Sequence, residues 1–468
     1  MKKYLLVLIC LFFLITRLYK IGEIPPSVYW DEASIGYNAY SIAQTGKDEW
    51  GEFLPVHFRA FGEFKLPVYI YTTAVFVKAF GLNEFSVRIP AVLFSLGVVI
   101  LTYLLAKKLS GNVEVGLLSS FFISISPWFF IFSRTGYEAT AGLMFYMLAI
   151  YIFLERIRNK WYILVSVASF ILSAYSYNSF RILSPLAIFL LIIWNIKNLK
   201  GIFKTGILPV ILSVIILVLS IIPIYRLYVY DAGISRLQAV GTTSTSFIKN
   251  YFSHFSPDFL IVHGDKNLRS QQTGFGQLYL PELILLPLGF LYTLKSKSKY
   301  RLLPMALLLL GPIPAAITKE SPHALRSISM VPFIAMISAE GAIYFGQLLK
   351  NRRNLINLII VIIFLISFIN YFQSFLNTYP AESSKDWQYE YKRIYTDYGD
   401  KFDKYGRILI SDKYAQPYIF TLFYLKYDPD KFRREVVRNS VDQWGFSTVK
   451  EFGEFEFGKF PEMVSFNR

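Results

Sequence analysis

The sequence predicts an all-α bundle of membrane-spanning helices with a small α/β domain at its C-terminal end. Of the 468 residues, 54% are hydrophobic and only 17% are charged. This balance is typical of polytopic membrane proteins, because a soluble core cannot absorb so much apolar surface. Two further observations, the apolar runs and the placement of the basic residues, predict the number of spans and their orientation.

About eleven apolar runs are candidates to cross the roughly 30 Å of hydrocarbon in a bilayer. The eighth run is short and needs Tyr279 to Glu282 to reach across. We take the first run as a retained helix rather than a signal peptide, because no small-residue cleavage site follows it. The single cysteine, Cys10, excludes an intrachain disulfide. The predicted spans are Tyr4 to Thr16, Val87 to Ala106, Val115 to Phe132, Ala139 to Leu154, Trp161 to Tyr177, Ile182 to Ile196, Thr205 to Ile222, Leu283 to Leu294, Leu302 to Ile317, Ile328 to Leu349 and Leu355 to Phe372.

Basic residues orient this bundle, because Lys and Arg near span ends stay on the cytoplasmic side. With the N-terminus inside, the cytoplasmic segments hold 17 basic residues against two acids, which is +15 of the chain's net charge of +16. The surplus is spread over short loops, so we expect a plasma-membrane protein and no nucleic-acid partner. The 17 basic residues are Lys2, Lys3, Lys107, Lys108, Arg156, Arg158, Lys160, Lys197, Lys200, Lys204, Lys295, Lys297, Lys299, Arg301, Lys350, Arg352 and Arg353.

The predicted outer face receives the long segments. These are a first outer loop (17–86), a fourth outer loop (223–282) and a tail (373–468), which follows a membrane domain of residues 1–372. The cytoplasmic side has only short connectors and no glycine-rich loop of the kind that holds phosphates. An enzyme using a soluble nucleotide donor is therefore not expected, and the substrate should arrive through the membrane or from outside.

The first outer loop carries two adjacent carboxylates, Asp31 and Glu32, at the start of a helical pattern that runs from Asp31 to Thr45. Its apolar spacing predicts an amphipathic helix lying at the membrane interface, and the segment Pro67 to Phe80 is also predicted to be interfacial. The alternative is that Asp31 is only an N-cap and Glu32 a first-turn acid. Residue 34 is Ser, so no capping box supports that alternative.

Several cations lie at the outer ends of the spans, where an ionisable group is costly unless it is paired or wetted. They are Lys65, Arg134, Arg181 and Arg326. Snorkelling is the alternative for Lys65, and an ion pair with Glu138 is the alternative for Arg134. The fourth outer loop adds His263, Asp265 and Arg269, whose spacing matches no closed zinc site. We expect substrate contacts or loop structure there, and no metal site.

Several motifs in their order resemble the GT-C glycosyltransferases, and within them the branch of protein O-mannosyltransferases and lipid A aminoarabinose transferases. The resemblance covers about Met1 to Lys200 through its motifs and the rest through topology. One departure is Lys65-Leu66-Pro67 where the aminoarabinose branch usually has Lys-Pro-Pro, which leaves the acceptor open. The motifs are Asp31-Glu32, Phe64-Lys65-Leu66-Pro67, the run Gly81 to Pro90, and Ser133-Arg134 followed by Glu138.

The resemblance implies transfer of a sugar from a polyprenyl-phosphate donor in the outer leaflet to a hydroxyl of a protein, lipid or glycan, usually with inversion. Asp31 would be the general base and Glu32 would orient the acceptor or the base. Lys65, Arg134 and Arg326 would bind the donor phosphate. The resemblance allows a divalent cation without requiring one, and no cofactor is predicted. Further candidates for substrate contacts are Tyr37, Glu138, Arg181, His263, Asp265, Arg269 and His323.

The tail is less apolar and is rich in Tyr, Asp and Lys. It predicts a helix near Trp387 to Phe402, a strand at Arg407 to Asp412 and a Tyr-rich stretch from Gln416 to Tyr427, which together suggest a small α/β domain on the outer face.

Two other function classes stay open. A transporter or flippase would place charges near the bilayer midplane, whereas here they lie at span ends. A glycan polymerase or ligase using a lipid-diphosphate donor is not excluded by the outer arginines.

Overall fold

The computed structural model describes residues 2–156, 159–195, 207–230, 241, 244–296, 298–349, 352–441 and 447–467, and the part before the tail is mainly helical. Its first helices are α1 (Lys2–Leu18), α2 (Trp30–Thr45), α3 (Pro67–Phe80), α4 (Glu84–Ser110), α5 (Val113–Ile125), α6 (Pro127–Phe130), α7 (Ala139–Glu155), α8 (Tyr162–Ala174) and α9 (Asn178–Trp194). The next are α10 (Ile207–Tyr230), α11 (Ser244–Ser253), α12 (Glu282–Lys295), α13 (Leu303–Leu310), α14 (Ile313–Ala316), α15 (Met330–Leu348) and α16 (Arg353–Asn377).

Fewer helices than predicted have the length of a full span. Within the described ranges, four helices are long and apolar enough to cross a membrane, or five if the bent pair α5–α6 counts as one span. Six further apolar helices have 10–17 residues. These helices place the chain in a membrane, but the expected eleven spans are not confirmed. The predicted start of the seventh span, residues 205 and 206, lies outside the described residues.

Prolines explain where predicted segments differ from observed helices. The run Val115 to Phe132 is not one helix, because Pro127 lacks an N–H and clashes with the preceding turn; the chain bends there by 64°. The run Leu302 to Ile317 is likewise interrupted, at Gly311-Pro312. By contrast, α10 continues through Pro223 to Tyr230, so the first part of the predicted fourth outer loop is helical. Residues 231–240 and 242–243 of that loop lie outside the described ranges.

The first outer loop folds into α2, α3 and a short hairpin of β1 (Phe58–Arg59) and β2 (Phe64–Lys65), in which Phe58 pairs with Lys65. The helix predicted from Asp31 to Thr45 is present, but it does not lie half-exposed at an interface. It is buried along most of its length, including the polar residues Glu32, Ser34, Asn38 and Ser41. The amphipathic interpretation was wrong because these polar side chains are satisfied inside the protein.

The tail contains the predicted α/β elements. Its helices are α17 (Tyr379–Glu382), α18 (Tyr389–Tyr398), α19 (Pro417–Tyr424) and α20 (Pro429–Glu435). Its strands β3 (Arg407–Ser411), β4 (Val437–Arg438), β5 (Val449–Phe452), β6 (Phe455–Gly458) and β7 (Val464–Asn467) form a sheet of order β4-β5-β6-β3-β7. Aromatic residues of the tail share one hydrophobic core with α2 and α3, so tail and first outer loop form a single unit.

Candidate functional site

A cavity of about 400 Å³ opens beside the first turn of α2. Its wall is assembled from six places in the chain: the start of α2, the β1–β2 hairpin, the segment before α7, the start of α9, the fourth outer loop, and the loop between α14 and α15. Its lining residues include Tyr29, Trp30, Asp31, Phe61, Glu63, Lys65, Tyr137, Glu138, Tyr177, Asn178, Asn267, Arg269, Glu320, His323 and Arg326. Segments far apart in sequence thus meet at one cavity that is lined by many charged and aromatic side chains.

The ammonium of Lys65 contacts the Asp31 carboxylate at this cavity. Lys65 is 4% exposed, and its Nζ also lies 3.5 Å from Glu63 Oε1. Asp31 is the second residue of α2, whose N-cap is Tyr29 in an extended conformation. The N-cap alternative for Asp31 is therefore wrong, and its carboxylate lines the cavity instead.

Glu32 lies in a different environment, fully buried and outside the cavity lining. Both carboxylate oxygens accept from Arg88: Nε donates to Oε1 and Nη2 to Oε2, each at 3.1 Å. The backbone N–H of Gly136 donates to Oε1 at 2.6 Å. Arg88 also donates to the carbonyls of Ile21, Pro25 and Ser27. The pair thus fastens the chain entering α2 to α4 and to the segment before α7.

Glu138, directly before α7, brings a third carboxylate to the cavity. Burial raises its pKa to about 7; the Asp31 charge also raises the pKa, whereas Lys65 and the backbone N–H of Leu66 lower it. Its buried Oε1 has no hydrogen-bond partner among the described residues. Glu138 therefore offers an acceptor oxygen that the protein itself leaves unused.

Two arginines also line the cavity. The Arg269 guanidinium lies 4.9 Å from the ring centre of Tyr29 and 5.8 Å from that of Trp30, and its Nε donates to Asn267 Oδ1 at 3.3 Å. Arg326 Nη1 donates to Thr318 Oγ1 at 3.0 Å. Together with Lys65, they bring three cationic side chains to a cavity that the carboxylates of Asp31, Glu63, Glu138 and Glu320 also line.

The loop that carries His323 and Arg326 is held by the fourth outer loop. Asp265 Oδ2 accepts the backbone N–H of Ala324 at 2.7 Å, and His254 Nε2 accepts that of His323 at 3.2 Å. His323 Nδ1 lies 3.8 Å from Asp265 Oδ2. His323 lines the cavity whereas Asp265 does not, so Asp265 supports the loop from behind.

A second cavity of about 280 Å³ shares Glu63, Phe64, Tyr177, Asn178 and Arg326 with the first. Its remaining wall is mainly apolar and comes from α9, α10 and α14. Arg181 lies here, with Nη2 3.1 Å from His57 Nε2. Burial, followed by the Arg181 charge, lowers the pKa of His57 to about 4, so this histidine is neutral.

Three candidates lie elsewhere. Arg134 is buried and donates to the carbonyls of Thr16, Tyr19 and Ile24. Tyr37 donates to the Tyr427 carbonyl at 3.1 Å and so joins α2 to the tail. His263 is exposed and pairs with Asp258. The cavity lining includes none of the three.

The sequence reasoning did not single out Glu63 or Arg88. Glu63 lies in the turn before β2, two residues ahead of Lys65, and its Oε1 lies 3.5 Å from the Lys65 ammonium. Arg88 is a charge within the first turns of an apolar helix, which by itself marks a site or a buried pair. Within the described ranges, no three His, Cys, Asp or Glu side chains form a group that could hold a metal ion.

Comparison with known proteins gives one family match and one sequence relative. Residues 65–253 match the family model described as dolichyl-phosphate-mannose-protein mannosyltransferase. A curated protein of Aquifex aeolicus (strain VF5), described only as an uncharacterized protein, is 30% identical over 163 residues. That match covers 34% of this chain and 31% of the relative, so the chain aligns with about a third of the relative's length.

Solved structures share the fold at low sequence identity. ArnT from Cupriavidus metallidurans bound to undecaprenyl phosphate has a TM-score of 0.54 and 11% identity, with 91% of this chain and 84% of that chain covered. The apo state of the same ArnT has a TM-score of 0.53 and 10% identity, with 85% of this chain and 80% of that chain covered. The oligosaccharyltransferase of Archaeoglobus fulgidus in its apo form has a TM-score of 0.53 and 13% identity, with 90% of this chain and 63% of that chain covered. These structures confirm the fold that the resemblance implied.

Proposed function

We propose that this membrane protein, which has the fold of the GT-C glycosyltransferases, moves a monosaccharide from a polyprenyl-phosphate donor to a hydroxyl acceptor at the outer face. The observation that carries the proposal is the contact between the Asp31 carboxylate and the buried Lys65 ammonium in a cavity that two arginines also line. The family match and the ArnT structure bound to undecaprenyl phosphate support the same donor class.

Asp31 is the general base in this proposal. As the acceptor oxygen attacks the anomeric carbon, its proton passes to the Asp31 carboxylate. The bond from that carbon to the phosphate oxygen breaks, and polyprenyl phosphate leaves with the bonding electrons. A single displacement of this kind inverts the anomeric centre. The Lys65 ammonium contacts this carboxylate and holds the base in place beside the cavity.

Lys65, Arg269 and Arg326 stabilise the departing phosphate. Negative charge on this group grows as the glycosidic bond breaks, so fixed cations bind the transition state more strongly than the ground state. Arg134 is not among these ligands, because its guanidinium donates to backbone carbonyls away from the cavity. In the proposal, Arg269 has the phosphate-binding role that the sequence analysis gave to Arg134.

The two adjoining cavities suit the two halves of a lipid-linked sugar. The polar cavity takes the phosphate and the sugar, and Glu138 accepts a hydrogen bond from a sugar or acceptor hydroxyl. The apolar cavity takes the first isoprene units of the lipid, and Arg326 lines both. The acceptor is a hydroxyl of a protein, a lipid or a glycan. With the N-terminus in the cytoplasm, this site and the tail lie on the extracytoplasmic side.

The testing experiment compares Asp31→Asn with wild-type protein in detergent, using a polyprenyl-monophosphate sugar and a hydroxyl acceptor. We expect release of polyprenyl phosphate to fall by about 10²- to 10⁴-fold, the usual contribution of a positioned base. Asp258→Asn is the matched control, because Asp258 also pairs with a nitrogen-bearing side chain, His263, but is exposed outside the cavity.

Turnover of Asp31→Asn equal to that of Asp258→Asn would remove Asp31 as the base. The lipid product also tests the donor class. Wild-type protein that releases polyprenyl diphosphate, and only from a diphosphate-linked donor, would overturn the proposed monophosphate donor in favour of a ligase or polymerase.

A further inference from the structure

The helix that carries Asp31 has no cap of its own. The N-cap residue of α2 is Tyr29, whose side chain makes no capping hydrogen bond. The first N–H groups of a helix have no partner within the helix and need an acceptor from elsewhere when they are buried. The N–H of Trp30, the residue directly before Asp31, is one of these groups.

Gln388 of the tail supplies this acceptor from 358 residues further along the chain. Its Oε1 accepts the Trp30 N–H at 2.9 Å. Gln388 is 5% exposed and has a left-handed backbone conformation, with φ of 51°. A non-glycine residue in this region is strained, and such strain persists where the surrounding structure holds it.

The orientation of the Gln388 amide is fixed by its other contacts. Its Nε2 donates to the carbonyls of Tyr414 and Ala415, at 2.5 and 3.2 Å. Because two carbonyl oxygens surround the NH₂ group, the amide oxygen has to face the Trp30 N–H. The neighbouring Trp387, fully buried, packs edge-on against Tyr29 with ring centres 5.4 Å apart. The tail thus contacts both Tyr29, the N-cap residue of α2, and Trp30, its first residue.

We propose that Gln388 is a positioning residue that caps α2 and thereby aims Asp31 into the cavity; this rests on the proposed function. Gln388 does not line the cavity, so it acts through the helix and not on the substrate. The tail is then a working part of the catalytic site. Loss of the cap lets the first turn of α2 fray, which separates Asp31 from Lys65 for part of the time.

The test is Gln388→Met, which keeps the side-chain length but removes the acceptor. Gln416→Met is the matched control, because Gln416 has a similar φ of 54° and its side chain makes no capping bond. We expect kcat of Gln388→Met to fall about fivefold with KM for the donor within about twofold, since fivefold corresponds to the roughly 1 kcal/mol that a lost cap typically costs. Deuterium exchange in peptides covering residues 29–34 should speed up in Gln388→Met only.

A Gln388→Met variant with the kcat and exchange of Gln416→Met would overturn the proposal. The proposal would also be overturned if Gln388→Met lowered kcat and raised KM by similar factors and if deuterium exchange became faster throughout the tail. Those results would show a general structural defect. Failure of the proposed function is distinguishable, because wild-type protein would then release no polyprenyl phosphate. The exchange of residues 29–34 would still decide whether Gln388 caps α2.

Discussion

Asp31 and Glu32 are adjacent carboxylates in one helical turn, yet they lie in contrasting surroundings. The Asp31 side chain is 24% exposed, lines the cavity and contacts Lys65. The Glu32 side chain is fully buried, and three N–H donors from Arg88 and Gly136 surround it. A helix turns about 100° per residue, so neighbouring side chains face different parts of the protein. Chemically similar groups are therefore placed for separate roles: Asp31 faces the cavity, and Glu32 joins α2 to α4 and to the segment before α7.

Glu32→Gln should have the largest effect on stability. The change leaves Arg88 buried without a counter-charge and places an NH₂ group near N–H donors. Breaking a buried pair on one side costs about 3–5 kcal/mol, whereas Asp31→Asn at the wetter position should cost much less. Thermal unfolding of both variants in the same detergent measures the difference. Normal unfolding of Glu32→Gln together with lost turnover would instead place Glu32 in the reaction.

Lys65→Met should have the next largest effect, and on turnover. Removing one cation from a developing oxyanion costs about 10²- to 10³-fold in kcat, and the change also removes the contact between Lys65 and Asp31. The control is Lys78→Met, because Lys78 lies in the last turn of α3 and is exposed. Release of polyprenyl phosphate from a saturating donor gives kcat for both variants. Equal rates would refute the role of Lys65.

The sequence predicted much of this fold because apolar runs and charge placement are local signals. The helix after Trp30, the helix from Pro67 and the strand at Arg407 were all expected where they lie. The burial of α2 was not expected from the sequence, because it depends on packing against α3 and against the tail, which is more than 300 residues away in the chain. Apolar spacing alone cannot distinguish a lipid surface from a protein surface.

The candidate site was predictable in part for a similar reason. Lys65, Arg269, Arg326 and Glu138 were candidates as charges on the predicted outer face, and the structure brings them to one cavity with Asp31. Arg134 met the same criterion, but it lies outside the cavity lining, where its Nη1 and Nη2 donate to backbone carbonyls. Gln388 carried no sequence signal, since a neutral amide in a polar tail is ordinary until its partner is known.

Glu138→Gln should have the smallest effect, and one that depends on pH. Burial raises the pKa of Glu138 from an ordinary value of 4.5 to about 7. As pH rises from about 4.5 to 7, the unfolded carboxyl ionises freely whereas the buried one does not, so wild-type stability falls over this window and levels off above it. The amide of the Glu138→Gln variant cannot ionise, so the variant should gain stability relative to wild type with rising pH, by on the order of 2 kcal/mol. Unfolding temperatures at pH 5 and pH 8 measure this gain, with Glu23→Gln, an exposed acid outside the cavity, as control. A difference between Glu138→Gln and wild type that is the same at both pH values would contradict the raised pKa of Glu138.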